Sequence, residues 1–201
     1  MGQDTSSRRH DPVVSCSACR GPALHDTTYY CPIKPDDVSL FDQKPWLTVQ
    51  RIPETEADVR VRYQPGRGAP SIHDLDLPLT YRWNHAPWRA NTRQTATGEA
   101  TEAVVTCLRC GTVEARFVDL PAEYFFQIDY RGKALWAPSR STAEDLLEFI
   151  EGDDRRRLPA KDYRTGERAS FLSRIPTEFL TAKARDTVVK RLRKRLEEGM
   201  P

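Results

Sequence analysis

Two short stretches decide the fold of this chain: Cys16-Ser17-Ala18-Cys19 and Cys107-Leu108-Arg109-Cys110. Each is a C-x-x-C pair followed within two residues by a glycine, at Gly21 and Gly111. Two sulfurs three positions apart reach one metal ion only if the backbone turns sharply, and a nearby glycine permits that turn because it tolerates positive φ. Four thiolates fill the tetrahedral shell of Zn²⁺, so the pattern predicts a zinc ribbon with a structural Zn²⁺. The predicted ligands are Cys16, Cys19, Cys107 and Cys110.

Other interpretations of the cysteines stay open at this point. Iron in a rubredoxin-like site uses the same four ligands. A redox-active pair is disfavoured because neither C-x-x-C precedes a clear helix in a βαβ context. A local Cys₃His site could instead use the first pair with His25 and Cys31, but the second C-x-x-C-G favours one shared four-cysteine site. Cys31 is then predicted to be a small buried hydrophobic residue.

Composition predicts a modest hydrophobic core. The chain has 201 residues, of which 38% are hydrophobic and 30% charged, and it contains 15 prolines. A bound metal would compensate for a core too small to hold the amino-terminal part alone. From Arg155 to the end there are 14 Lys+Arg and 6 Asp+Glu, a net charge of +8, whereas the rest carries −6. This asymmetry indicates an anionic partner for the carboxy-terminal part, or contact between the two parts.

The cysteine count and the hydropathy pattern indicate a reducing compartment. Five cysteines do not form a closed disulfide set, and C-x-x-C pairs in the cytosol are more often metal sites. No apolar run approaches the length of a signal sequence or a membrane span. We therefore expect a cytoplasmic protein without a membrane partner. Residues 1–13 are polar and aperiodic, which predicts a disordered leader.

The two pairs are separated by 87 residues, far more than the roughly 15–20 usual between such motifs. This spacing predicts an inserted module at about residues 32–100, after a first ribbon strand at residues 28–31. Residues 46–52 and 58–63 alternate apolar and polar side chains and are predicted strands. Residues 75–83 are expected to be extended and 84–98 to form a loop. The insert is thus predicted to be a small antiparallel sheet with long loops.

Further strands are predicted after the second pair. Residues 112–118 are typical of the closing ribbon strand. Residues 123–130 have the strongest strand pattern in the chain, and the turn at 131–133 leads into a partner strand at 134–137. This segment therefore predicts a β-hairpin.

Helices are predicted in the last third. Ser141 and Glu144 have the spacing of a capping box, which begins a helix that ends near Gly152. Pro176 is typical of a helix first turn. The final predicted helix runs from about Ala184 to Glu198 with one apolar stripe. The stripe consists of Val188, Leu192 and Leu196.

These elements predict an α+β protein. Its parts are a zinc-ribbon β core with an inserted antiparallel β segment, a β-hairpin and carboxy-terminal helices. The predicted domains are the ribbon with its insert at 14–122 and the hairpin with a basic helical tail at 123–201. No internal repeat is evident beyond the two cysteine pairs.

Three stretches carry a likeness to known proteins: residues 126–137 (Phe126-Gln127-Ile128-Asp129 through Ala134-Leu135-Trp136-Ala137), the helix 143–150, and 174–186. Together with the two C-x-x-C pairs, they resemble a group of small bacterial zinc-ribbon-containing proteins. The resemblance covers roughly the carboxy-terminal third plus the cysteine pairs. It implies a ribbon, a strand hairpin and a helical tail. It implies no activity, because the group has no settled function, and the long insert departs from the group.

The final predicted helix is rich in basic residues. Each cation that reaches a phosphate releases counterions, which contributes to nucleic-acid affinity. The same residues also keep an amphipathic helix soluble, and Asp186, Glu197 and Glu198 interrupt them. The first hypothesis is therefore a non-enzymatic zinc-ribbon adaptor or nucleic-acid-associated protein. Its candidate phosphate contacts are Lys190, Arg191, Arg193, Lys194 and Arg195.

Two further hypotheses use other residues. Residues 46–90 contain Trp46, Trp83 and Trp88, which could stack on bases, bury aromatic area in a small sheet or bind a protein partner. The second hypothesis is accordingly a protein-interaction subunit of a larger complex. The third is a metal-dependent nuclease with Asp119 and Asp129 as an acidic pair. In this pattern Arg131 replaces the lysine that such sites usually have, and arginine is a poor base at neutral pH.

Overall fold

Short strands dominate the first two thirds of the chain and helices the last third, so the predicted mixed α+β class is confirmed. The computed structural model describes residues 12–42, 44–51, 59–65, 69–96, 98–152 and 175–199. The strands in those ranges are β1 (Val13–Ser15), β2 (Pro22–Thr27), β3 (Tyr29–Ile33), β4 (Leu47–Arg51), β5 (Val59–Tyr63), β6 (Arg89–Ala90), β7 (Thr92–Gln94), β8 (Glu99–Cys107), β9 (Val113–Asp119), β10 (Phe126–Tyr130) and β11 (Lys133–Ala137). The α-helices there are α1 (Arg140–Glu151) and α2 (Ala182–Glu198).

The described strands form three sheets. A five-stranded sheet has the order β1-β2-β8-β7, with β9 also paired to β8. A four-stranded sheet has the order β4-β5-β3-β6, and β10 with β11 makes a two-stranded hairpin. The pairs β3–β5, β4–β5, β8–β9 and β10–β11 are all antiparallel. The four-stranded sheet lies within the predicted insert except for the start of β3 at Tyr29, so the small antiparallel sheet expected there is confirmed.

The chain divides into two compact units that are not consecutive in sequence. Unit 1 takes the described parts of Met1–Leu24, Cys107–Gly111 and Glu123–Pro201, and unit 2 those of His25–Thr106 and Thr112–Ala122. Both cysteine pairs therefore belong to unit 1. The domain division at residue 122 that the sequence suggests stays a prediction.

Unit 1 has its own hydrophobic core, built from β1, the β10–β11 hairpin and both helices. The helical period places every fourth residue of α2 on one side, and the predicted stripe of Val188, Leu192 and Leu196 is buried there. Strand β1 joins the hairpin through backbone bonds, including Phe125 N–H to the carbonyl of Val13 at 2.9 Å. The amino-terminal strand is thus part of the same core as the carboxy-terminal helices.

Unit 2 has a second core over its four-stranded sheet. Strand β5 alternates strictly between buried and half-buried residues, as a strand with one covered face should. Aromatic residues supply much of the area, and Phe41 packs edge-on against Tyr81 with ring centroids 5.2 Å apart. The core of the insert is therefore independent of the core of unit 1.

Several predicted elements are confirmed with small shifts at their ends. The strands expected at 46–52 and 58–63 are β4 and β5, although Ile52 and Asp58 fall outside the described residues. The strand expected at 112–118 is β9, and the hairpin is β10 with β11. The last predicted helix is α2, which begins two residues earlier than expected.

Other predicted elements are wrong. Residues 75–83 are not extended throughout, because Pro78 begins a 3₁₀ turn at Leu79–Tyr81. The loop expected at 84–98 contains β6 and β7. The first ribbon strand expected at 28–31 belongs to β3, which pairs with β5 and β6 in the four-stranded sheet. The strand that follows the first cysteine pair is β2, which pairs with β1.

The predicted leader at residues 1–13 lies outside the described residues except for Pro12 and Val13, and Val13 is a buried residue of β1. The helix expected from Pro176 is a short 3₁₀ turn, Thr177–Leu180, whose end leads into the Thr181 N-cap of α2. Within the described ranges, no helix is long and apolar enough to cross a membrane.

The N-cap of α1 differs from the prediction. The helix begins at Arg140, and the hydroxyl of Ser139 accepts a hydrogen bond from the Thr142 N–H at 3.3 Å. The predicted capping box at Ser141 and Glu144 is therefore wrong. Glu144 instead pairs with Arg140 at 2.9 Å, one helical turn away. β11 ends just before Pro138, and Ser139 follows directly. The helix therefore begins two residues closer to the amino terminus than predicted.

Replacement of Ser139 by alanine is expected to lower the free energy of unfolding by about 1 kcal/mol, because one amide of the first turn loses its acceptor. Urea denaturation followed by circular dichroism measures the change. Ser141→Ala is the comparison variant and should cost less than Ser139→Ala, because Ser139 and not Ser141 accepts the Thr142 N–H, although the two hydroxyls are 3.0 Å apart. A larger loss in Ser141→Ala than in Ser139→Ala would restore Ser141 as the N-cap.

Candidate metal centre

The four cysteines predicted as ligands come together in unit 1. Their Sγ atoms all lie within 4.8 Å of one another. The Cys16–Cys110 and Cys19–Cys107 sulfur pairs are 3.8 and 3.5 Å apart. A disulfide needs about 2.05 Å between sulfurs, and all four cysteines are free thiols. Tetrahedral ligation with metal–sulfur bonds of about 2.3 Å puts neighbouring sulfurs about 3.8 Å apart. The cluster therefore has the dimensions of a four-thiolate metal site.

Two turns between strands hold the pairs in place. The first pair follows β1 and precedes β2, which run antiparallel with Ser15 opposite Pro22. The second pair begins at Cys107, the last residue of β8, and β9 follows it. A backbone bond from Leu108 N–H to the Pro22 carbonyl, 2.9 Å long, joins the two turns directly. The cluster thus depends on strand pairing as well as on the local C-x-x-C spacing.

Backbone amides point at two of the sulfurs. The Sγ of Cys107 accepts from the N–H groups of Arg109 and Cys110, each at 3.3 Å. The Sγ of Cys19 accepts from the Gly21 N–H at 3.4 Å. Hydrogen bonds from N–H groups stabilise a thiolate more than a thiol. Both turns are therefore shaped to carry negative sulfur, the form that ligates metals.

The four thiols differ in exposure, and the pKa of Cys19 is raised. Cys16 and Cys107 are buried, Cys19 is half-buried and Cys110 is exposed. The Gly21 N–H lowers the pKa of Cys19, but partial burial and the thiols of Cys107, Cys110 and Cys16 outweigh it and raise that pKa to about 11. Four thiolates this close together would repel one another. A divalent cation at their centre would remove that repulsion.

The residue directly after each pair adopts a left-handed backbone conformation. Gly111 has φ +74°, and Arg20 has φ +57°. The sequence pattern predicted this role for Gly21 in the first turn, and that prediction is wrong. Gly21 instead lies close to Arg109, because a Cβ at Gly21 would be 3.1 Å from the Cβ of Arg109. The first turn therefore holds a strained arginine where the second has a glycine.

The two turns should respond to substitution with opposite signs. Gly111→Ala should lower the stability by about 1–2 kcal/mol, since a Cβ is disfavoured at positive φ. A Cβ at Gly111 would have no atom within 4 Å, so the loss of stability would come from backbone conformation and not from a steric clash. Arg20→Gly should leave the stability unchanged or raise it by up to about 1 kcal/mol. Thermal unfolding of the metal-loaded protein measures both, and equal losses in the two variants would contradict the shared geometry.

Cys31 and His25 do not join the cluster. The metal-ligand grouping found among the described residues contains only the four cysteines of the two pairs. Cys31 is fully buried in the core of unit 2, where burial raises the pKa of its thiol to about 11. The prediction that Cys31 is a buried hydrophobic residue is confirmed, and the local Cys₃His alternative is wrong.

The predicted phosphate contacts on α2 are divided between two sides of the helix. Arg191 donates to the carbonyl of Asp129 on β10, and Arg193 pairs with Glu151 on α1. Lys194 and Arg195 both lie beside Glu198, at 3.8 and 3.1 Å. The remaining candidate, Lys190, is exposed. The helix is therefore basic, but it does not present all five cations to one side.

One residue that the sequence analysis missed links the cysteines to α2. The Arg109 guanidinium lies against Gly21 and donates to the carbonyl of Glu198 at 3.3 Å. A cation near the last carbonyls of a helix is favourable for two reasons. It donates a hydrogen bond to a carbonyl that has no partner within the helix, and its charge interacts favourably with the helix dipole. No local pattern around Arg109 predicts a contact with a residue 89 positions away. The second cysteine turn therefore also caps a helix.

The tryptophans of the insert largely serve their own core. Trp88 is buried and its indole N–H donates to the Tyr81 carbonyl at 2.8 Å. Trp83 is half-buried and packs edge-on against Tyr29 with centroids 4.8 Å apart. Trp46 is also half-buried against this core. Of the three roles considered for these tryptophans (base stacking, packing of the small sheet and binding of a protein partner), the contacts support packing of the small sheet.

A polar cluster in unit 2 gives no sign of a metal site. The carboxylate of Glu102 accepts from the Tyr30 hydroxyl at 2.7 Å and the Asn91 amide at 2.8 Å, and it pairs with Arg62. Burial raises the pKa of Glu102, but these hydrogen bonds and the positive charges of Arg62 and Arg60 outweigh it and lower that pKa. Its partners use both carboxylate oxygens, so the cluster is a structural link between strands.

The fold and the cysteine cluster define a mixed α+β protein with a possible four-thiolate metal site. Comparison of the chain with protein-family models, with curated proteins and with solved structures finds no significant match. Any assignment of function therefore depends on the geometry of the chain itself.

Proposed function

We propose that Cys16, Cys19, Cys107 and Cys110 bind one Zn²⁺ and that the strands around them form a zinc ribbon. The observation that carries this proposal is the spacing of the four sulfurs, all within 4.8 Å of one another. The N–H groups that point at Cys19 and Cys107 support it, because they favour thiolates. The metal would fasten the β1–β2 turn to the turn after β8, two segments 88 residues apart.

The proposed metal is structural. Four protein thiolates leave no coordination position for water or substrate, which is the arrangement of a structural rather than a catalytic zinc site. The chemistry that the ion supplies is therefore charge compensation and crosslinking of the chain. We accordingly propose a non-enzymatic binding protein.

The ligand we propose for this protein is nucleic acid, and the basic residues of α2 support it. Lys190, Arg191 and Lys194 are exposed, and Arg195 is half-buried. Arg193 is left out of the proposed surface because it lies on the α1 side of the helix, beside Glu151. The ion pairs that Glu198 makes with α2 lie at the surface, where such pairs contribute about 0–1 kcal/mol. A phosphate can therefore replace the carboxylate at little cost.

Fluorescence anisotropy with a labelled random oligonucleotide tests this ligand. The zinc-loaded chain should bind at low salt, with an affinity that falls steeply as salt rises, because phosphate contacts release counterions. Charge reversal at Arg191 and Lys194 should weaken binding whatever the oligonucleotide sequence. Absence of binding at low salt would remove nucleic acid as the ligand.

A protein partner for unit 2 is a second candidate, and two exposed leucines favour it. Leu79 and Leu40 are 61% and 43% exposed, and both belong to unit 2. A partner bound there should remain with the tagged protein after nuclease treatment and be lost in Leu79→Asp. Loss of the complex on nuclease treatment alone would point back to nucleic acid.

The nuclease hypothesis gains no support from the geometry. Among the described residues, neither Asp119 nor Asp129 belongs to the metal-ligand grouping. A carboxylate oxygen of Asp129 accepts from the Gly132 N–H at 3.3 Å, which is a turn contact within the β10–β11 hairpin. Mg²⁺-dependent cleavage that disappears in Asp129→Ala would be needed to revive it.

A further inference from the structure

Two depressions follow one another along strand β10 in unit 1. One of about 260 Å³ lies between β10 and the last turns of α2, and one of about 300 Å³ lies between the hairpin turn and the start of α2. We call them together the basic seam. Its cations are Arg131, Lys133, Lys183, Arg191, Lys194 and Arg195. The carboxylates of Asp129, Glu178 and Glu198 also line it, so among the described residues cations outnumber acids two to one.

The helical geometry of α2 determines which cations face the seam. Arg191 donates to the Asp129 carbonyl and therefore lies on the β10 side. Arg193 is two positions further, about 200° around the helix axis, and pairs with Glu151 of α1. Lys183 and Lys194 are separated by 11 residues, about 16 Å along the axis. The seam is therefore long enough to follow two or three nucleotides of an extended strand.

The acids in the seam hold its cations only weakly. Lys133 with Glu178 and Lys194 with Glu198 are ion pairs between side chains that are exposed or nearly so. Such pairs are screened by solvent and contribute little. Each backbone phosphate of a nucleic acid carries one negative charge, as a carboxylate does, but one strand brings several phosphates that can compete together for the same cations.

We propose that the basic seam binds the phosphates of a single-stranded nucleic acid, with a base stacked on Arg131. This inference rests on the nucleic-acid ligand proposed above and adds three residues to it: Arg131, Lys133 and Lys183. The Arg131 guanidinium lies over the Tyr130 ring, 5.4 Å from its centroid. Arginine planes and aromatic rings are the usual stacking surfaces for unpaired bases.

A duplex fits this surface less well than a single strand. Proteins that read duplex DNA commonly place the exposed side of a helix in the major groove. Asp186 and Glu197 are exposed on α2 alongside its exposed cations, so a groove that surrounded the helix would bring duplex phosphates close to both carboxylates. The cations of the seam are instead gathered beside β10, where an extended strand can lie without a second strand meeting those acids.

The test uses the zinc-loaded full chain, a labelled twelve-nucleotide oligo(dT) and a labelled twelve-base-pair duplex, with anisotropy measured over a range of salt concentrations. Arg191→Ala should weaken oligo(dT) binding about fivefold at 0.1 M salt and reduce the salt slope by about 0.7, the effect of one phosphate contact on a single strand. Lys183→Ala should act similarly. Arg193→Ala is the matched control and should bind as the unsubstituted chain does, since it removes the same charge from the other side of α2.

The outcomes separate the seam from the broader proposal. Weaker binding in Arg191→Ala and Lys183→Ala but not in Arg193→Ala, with oligo(dT) preferred over duplex, supports the seam. Equal losses in all three variants, or tighter duplex binding, overturn the seam and leave a nucleic-acid ligand in place. Displacement of oligo(dT) by poly-glutamate at equal charge concentration also overturns it, because an acidic protein would then be the better partner. No binding to either probe at low salt overturns both proposals.

Discussion

Replacement of Cys107 by serine is expected to reduce bound metal from one ion per chain to nearly none and to destabilise unit 1 by several kcal/mol. Cys107 is the proposed ligand that is buried and whose sulfur accepts hydrogen bonds from two backbone N–H groups. A hydroxyl oxygen is a poor replacement for a thiolate on Zn²⁺. In small zinc domains the free energy of metal binding is folding free energy, on the order of 10 kcal/mol at neutral pH. Elemental analysis and thermal unfolding measure the two effects.

Cys31→Ala is the matched control for this substitution. Cys31 is buried in the core of unit 2, outside the cluster, so the variant should keep its full metal content. Treatment of the unsubstituted protein with a strong chelator gives an independent measurement, because it should lower the melting temperature without any change in sequence. Full metal content in Cys107→Ser, or lost metal in Cys31→Ala, would contradict the assigned ligands.

Replacement of Leu192 by alanine is expected to lower the free energy of unfolding by about 2–5 kcal/mol, because it leaves a cavity in a packed core. Leu192 is 1% exposed in the core of unit 1, at the centre of the α2 stripe. Urea denaturation monitored by circular dichroism measures the loss. The metal content should remain at one ion per chain, since the cysteines are held by strands β1, β2 and β8 rather than by Leu192.

Lys190→Ala is the control on the same helix. Lys190 is exposed, and its removal should change the stability by no more than about 0.5 kcal/mol. Similar losses in Leu192→Ala and Lys190→Ala would mean that α2 does not bury the stripe assigned to it. Loss of metal in Leu192→Ala would mean that the cysteine cluster depends on the helical core.

The cysteine cluster could be predicted from sequence because its signal is local. Two C-x-x-C pairs restrict the possible chemistry to a few ligand sets, whatever lies between them. The cause of the first turn could not be predicted. The sequence pattern pointed to Gly21, whereas the left-handed residue is Arg20 and Gly21 makes room for Arg109. That contact joins residues 88 positions apart, so only the folded chain shows it.

Strands were predictable where alternation is strict and missed where it is not. β5 alternates along its whole length and was predicted. β8, the longest strand described, pairs with three strands and has three consecutive buried residues from Ala103 to Val105, so its apolar residues do not alternate with polar ones. β2 contains Pro22 and Asp26, which are rare in strands, and forms because β1 pairs with it.

The partners of the charged residues of α2 could not be predicted from the sequence either. Composition identifies the helix as basic, but the partners that divide its cations are distant in sequence. Glu151 is 42 residues from Arg193, and Asp129 is 62 residues from Arg191. The choice of Arg191 over Arg193 as a phosphate contact therefore requires the packing of α2 between α1 and β10.

X-ray absorption spectroscopy at the zinc edge of the purified full-length chain tests the central claim most directly. The account predicts one zinc per chain with four sulfur neighbours at about 2.3 Å and no nitrogen or oxygen in the first shell. A shell that contains nitrogen or oxygen, iron in place of zinc, or protein with no tightly held metal would contradict it.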